Sequence, residues 1–98
     1  MVRHIVLFRL KDKSRESLEK AAAVLRGMEG KIEGLVSLEV GVDFLRSERS
    51  YDIALNTLFT DRAALDAYQT HPAHLPVKAH MHAIMERSAS ADFEVDTL

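Results

Sequence analysis

No cysteine occurs in the 98 residues, so neither a disulfide framework nor a thiolate metal site can supplement the core. Tryptophan is missing too, and only two prolines and four glycines punctuate the chain, which leaves no linker or low-complexity tract. There is no excess of positive charge: 13 Lys and Arg against 15 Asp and Glu give a formal charge of -2. The broad basic field that suits nucleic acid or an anionic membrane is absent, so neither is expected as a partner. The opening MVRHIVLFRL is interrupted by Arg3, His4 and Arg9. It is no signal-peptide h-region, and no apolar run of about 18 residues follows anywhere. A cytoplasmic protein forming a single domain over residues 1–98 is the expectation. At this length folding buries roughly 60 to 68% of the unfolded chain's surface, a thin margin that self-association would widen.

What is present is alternation and helical spacing. Val2, His4, Val6, Phe8 and Leu10 share one face of a first strand, with Arg3, Ile5, Leu7 and Arg9 on the other. Ser14 is a candidate N-cap for a helix carrying Leu18, Ala21, Ala22, Leu25 and Met28 at spacings of three and four, with Gly30 as its stop. GLVSLEVGVDFL and YDIALNTLF then read as a hairpin over residues 35–59, Gly41 marking a bulge or close approach. Thr60 or Asp61 caps a short helix with Ala64, Leu65 and Tyr68 inward. Pro72 disfavours helix at His71 and opens a second segment over about 72–85. SASADFEVD is a last strand with one wet face. Glu39 and Asp52 are expected to pair across strands with Arg3 or Arg9.

The order β-α-β-β-α-β, with its second helix broken, predicts an α+β ferredoxin-like fold: an antiparallel four-stranded sheet with the helices on one face. Ile5, Leu7, Val36, Leu38, Val40 and Leu58 are then left for the other face. A second copy packed sheet against sheet would cover them, which predicts a homodimer closing a dimeric α+β barrel.

The segments VRHIVLFRLKD, LVSLEVGVD, YDIALNTLF and above all ALDAYQTHPAHLPV resemble the stress-responsive dimeric α/β-barrel (Dabb) domain, over Val2 to about Phe93. The resemblance implies a ferredoxin-like subunit and a sheet-to-sheet homodimer. The family includes plant polyketide cyclases, which close a poly-β-keto thioester by aldol chemistry with a tyrosine and a histidine in a cavity between sheet and helices. Those positions match Tyr68 and His74, and a further site histidine matches His4. Another pocket histidine of the cyclases falls at Ile53, so that polar contact is missing here.

YQTHPAHLPVKAHMH holds four of the five histidines. A metal site is not expected. His80 and His82 lie about 200° apart around a helix, and His71 and His74 straddle the proline break with no acid to complete four ligands. An acid–base site asks for less. A neutral imidazole, with a reference pKa near ~6.5, can take a proton from an activated carbon, and a phenol can polarise the neighbouring carbonyl. His74, Tyr68 and His4 are the candidate catalytic residues, with Val6, Phe8, Ile53, Leu55, Leu65, His71, Val77 and Met81 as pocket lining. Each also has a structural reading: His71 capping the next segment, Tyr68 and His4 satisfied in the core, His80 and His82 solvated or at a dimer rim. The chain thus reads as a homodimeric domain binding a small apolar carbonyl compound, with cofactor-free cyclase-like or isomerase-like chemistry. The alternative is a non-enzymatic stress-related structural or interaction module. A cofactor-free monooxygenase rests on fold analogy alone.

Overall fold

The computed structural model describes residues 1–96. Strand β1 (Val2–Leu10) leads to helix α1 (Arg15–Arg26), the hairpin β2 (Leu35–Val42) and β3 (Ile53–Phe59), the short helix α2 (Arg62–Tyr68), helix α3 (Leu75–Ile84) and the edge strand β4 (Met85–Glu94). The sheet order is β2-β3-β1-β4, every neighbour antiparallel. This is the ferredoxin-like plan, with the second helix in two pieces.

Local chemistry accounts for the helix limits. The Ser14 hydroxyl accepts the Ser17 amide at 3.2 Å, and the Asp61 carboxylate accepts the Ala64 amide at 2.8 Å, each satisfying an orphan donor of a first turn. α1 stops at Arg26, with Gly27 as its cap, one turn before Gly30, which lies in the following turn at φ 77°. α3 begins at Leu75 rather than at Pro72, so that Pro76 falls in its first turn, where a missing amide costs nothing. None of the helices among the described residues is long and apolar enough to cross a membrane.

The core lies between the sheet and the helices, where Leu18, Ala21, Ala22 and Leu25 of α1 meet Phe8, Leu10, Val40, Ile53, Leu55 and Phe59 of the strands. The register puts Val2, His4, Val6 and Phe8 opposite Phe59, Thr57, Leu55 and Ile53. Two features depart from simple alternation. A bulge between Leu35 and Ser37 brings Leu38 and Val40 level with Thr57 and Leu55 on the helix side, whereas the sequence pattern assigns them to the bare face. The extra residue in β2 changes the parity of everything after it. Gly41, the expected bulge position, is regular strand. The second departure is β4, which pairs Glu94, Asp92, Ser90 and Ser88 with Val2, His4, Val6 and Phe8. Its wet face therefore looks toward the helices, while Ala89, Ala91 and Phe93 join Ile5, Leu7 and Leu58 on the open side. Phe93 is 47% exposed there.

Candidate active site

The polar row on β4 faces the helix side of the sheet. A cavity of about 280 Å³ remains between β1, β4 and the helical segments. At roughly 30 Å³ per heavy atom, the volume liquid water occupies, it accommodates about ten atoms.

Three expected site residues meet at its inner end. Pro72 breaks the helical chain, and the turn it makes folds His74 back over Tyr68, so that the two rings stack with centroids 3.9 Å apart and planes 13° from parallel. His74 Nδ1 donates to the Tyr68 carbonyl at 2.9 Å. That bond fixes the proton of the neutral ring on Nδ1 and leaves the lone pair on Nε2, which has no hydrogen-bond partner among the described residues. Burial lowers the pKa of His74 from its ordinary value, aided by the positive charge of Lys78 and by His4, against the Tyr68 and Gln69 carbonyls. Near neutral pH the ring is a free base that borders the cavity.

Tyr68 is sealed in the core, its ring 5.0 Å from that of Phe59 and 5.9 Å from that of His4. Burial raises its pKa to about 12, so the phenol stays protonated. Its hydroxyl points to the Met28 thioether at 3.9 Å, a weak acceptor, rather than facing His74 across the helix break. His4 is buried too, and its Nδ1 donates to the carboxylate of Asp92, its cross-strand partner. The protons on Nδ1 of both histidines are therefore engaged by protein oxygens.

Of the expected lining residues, Val6, Phe8, Leu55, Val77 and Met81 border this cavity, and Ile53, Leu65 and His71 do not. Ile53 sits at the start of β3, paired with Phe8 and Val42 and closed off in the core. Leu65 turns into a separate groove beside Val2 and Phe93. His71 is spent on structure: Nδ1 accepts the Ala73 amide at 3.0 Å, freed by the proline break, and Nε2 donates to Glu33 at 3.0 Å. His80 and His82 take different sides of α3, His80 in a groove against α1 and His82, exposed, at the cavity. Among the described residues no group of three His, Asp or Glu side chains converges as metal ligands would. The sequence pattern misses Asp92, Lys78, Ser88 and Ser90, all of which border the cavity. The wet face of β4 was the available signal, had its register against His4 been known.

A family description for the stress responsive A/B barrel domain, Dabb, matches residues 2–95. The chain belongs to the Dabb family. An uncharacterised Streptomyces coelicolor protein is 38% identical over 77 residues, covering 76% of this Dabb chain and 79% of its own. A dimeric ferredoxin-like protein of unknown function from Thermobifida fusca superposes with a TM-score of 0.85 at 25% identity, covering 96% of this chain and 90% of that one. A dimeric ferredoxin-like protein of unknown function from Bacteroides fragilis gives 0.82 at 27% identity, covering 96% and 95%. Both of those proteins are dimers.

Proposed function

We propose that this Dabb domain is a homodimer that binds one small, largely apolar carbonyl compound per subunit, and that His74 acts on it as a general base or acid without a cofactor. The observation that carries the reading is the state of His74: a neutral ring, its proton held on Nδ1 by the Tyr68 carbonyl, and its Nε2 unpartnered beside a cavity of about 280 Å³. Val6, Phe8, Leu55 and Met81 supply the apolar walls such a ligand needs.

In the reaction, Nε2 takes the hydrogen α to the carbonyl as a proton. The electron pair moves onto the carbonyl oxygen, and the proton then returns to carbon or oxygen. Aldol-type cyclisation and isomerisation share this first step. Tyr68 positions the imidazole by stacking, and its hydroxyl, held only by a thioether, is a donor for any ligand oxygen that reaches it. Asp92 is a positioning residue that orients His4, whose Nε2 completes the polar set. The second copy covers the open face at Ile5, Leu7, Leu58, Ala89, Ala91 and Phe93, leaving the cavity within each subunit.

The test is α-hydrogen exchange into D2O, followed by NMR, over a panel of aliphatic ketones, β-keto thioesters and lactones. The wild type is expected to accelerate exchange for at least one compound, and His74→Ala to remove about 10²- to 10⁴-fold of that rate, the usual contribution of an acid–base group. A panel that exchanges no faster with the protein than without it would favour the rival, a dimeric interaction module whose histidines serve only the fold.

A further inference from the structure

Helix α3 and strand β4 are consecutive, and the chain reverses between Ile84 and Met85. Along α3 and its cap, the cavity is bordered by His74, Lys78 and His82, every fourth residue. Along β4 it is bordered by Ser88, Ser90 and Asp92, every second residue. Four helical residues rise about 6 Å and two strand residues about 6.6 Å, so the two rows keep step as they run in opposite directions. The floor between the rows is apolar.

Two of these six groups are already committed, since Asp92 is bonded to His4 and His74 to a carbonyl. The other four are not. Among the described residues the Lys78 ammonium, the His82 ring and the Ser88 and Ser90 hydroxyls make no hydrogen bond or ion pair to protein. Of the groups bordering the cavity Lys78 and Asp92 carry formal charge; the Asp92 carboxylate accepts from His4, whereas the Lys78 ammonium has no partner among the described residues. Lys78 is near enough for its charge to be felt at His74.

We infer that the ligand is amphipathic and anionic: a medium-chain oxo acid whose carboxylate meets Lys78, with the Ser90 and Ser88 hydroxyls donating to it. Its carbonyl lies at His74, about one helical turn, ~5.4 Å, farther in, and its chain lies on the floor formed by Phe8, Leu55 and Met81. This inference rests on the carbonyl-compound reading and narrows it to one substrate class. Charge-assisted hydrogen bonds are the stronger kind, so the anionic end supplies both affinity and orientation.

Calorimetric titration with octanoate and octanamide, two probes that differ chiefly in charge, tests it. The wild type is expected to bind octanoate at one site per chain, about tenfold tighter than octanamide, as one charge-assisted bond allows. Lys78→Gln should bring octanoate down to the octanamide level while leaving octanamide unchanged, and Lys78→Arg should restore the preference. Equal binding of the two probes by the wild type, or equal weakening of both in Lys78→Gln, overturns the anionic end and leaves the carbonyl-compound reading standing. Failure of both probes to bind overturns the ligand class, whereas loss of the His74-dependent exchange signal is what would remove the underlying reading.

Discussion

Replacing Asp52 tests how the hairpin that carries β3 is held. Its side chain is 2% exposed and accepts three hydrogen bonds: from the Leu10 amide at 2.7 Å, Lys13 Nζ at 3.0 Å and Arg46 Nη2 at 2.7 Å. It ties the end of β1 to the 43–51 loop, rather than pairing with Arg3 or Arg9 as cross-strand spacing suggests. Asp52→Ala leaves the fully buried Leu10 amide without an acceptor, at a cost of about 1–3 kcal/mol. Lys13 and Arg46 are 44% and 40% exposed in their side chains and rehydrate, for roughly 0–1 kcal/mol each. The total is about 1–5 kcal/mol, or a fall in Tm of about 4–8 °C for each kcal/mol in a domain of this size. Asp52→Asn keeps an oxygen for Leu10 and should lose about half as much. Urea and thermal unfolding at one fixed protein concentration measure both, the concentration mattering because the proposed dimerisation is linked to folding. Burial alone would raise the pKa of Asp52, but the Leu10 amide, Arg46 and Lys13 reverse that and hold it below the usual carboxylate value. The ionised form is therefore favoured by folding. Its contribution is complete above the unfolded pKa near ~3.9 and disappears as pH falls through the lower folded value. An Ala variant within about 0.5 kcal/mol of wild type, or an Asn variant as damaged as Ala, would refute the account.

Three further outcomes are expected. Gly34→Ala adds a Cβ 2.6 Å from that of Ala64 at a φ of 83°, so it should destabilise by about 1–3 kcal/mol and displace α2, seen as shifted NMR resonances for Tyr68. Leu7→Asp, on the open face, should turn the dimer into a monomer in sedimentation at micromolar concentration, and an unchanged mass would count against sheet-to-sheet pairing. Ultraviolet titration should show Tyr68 ionising only near pH 12. Because folding must keep this phenol protonated while the unfolded chain releases the proton near ~10, stability should fall as pH rises through that interval.

The strands, the caps at Ser14 and Asp61 and the break before Pro72 were legible because each is a local signal: alternation, a short polar side chain at a helix entry, a ring that excludes helix behind it. The meeting of His74 with Tyr68 also follows from a local turn. What was not legible depends on partners distant in the chain. The bulge at Leu35 is decided by pairing with β3, and an apolar run such as LVSLEV reads the same in either parity. Asp92 read only as part of the wet face of a last strand until the register placed it opposite His4. The Tyr68 hydroxyl turned from the expected reaction centre because Met28, forty residues earlier, lies in the core beside it.

Helix α3 passes into β4 without a single intervening residue, and the Ile84 carbonyl at that junction accepts the Lys11 amide at 3.0 Å. No hinge is available at that end. A guest too wide for the slot must strip the outermost ribbon from its neighbour, breaking a ladder of backbone bonds, instead of pushing aside a flap. For the proposed ligand, size discrimination at this junction would accordingly be set by the cohesion of the sheet's margin.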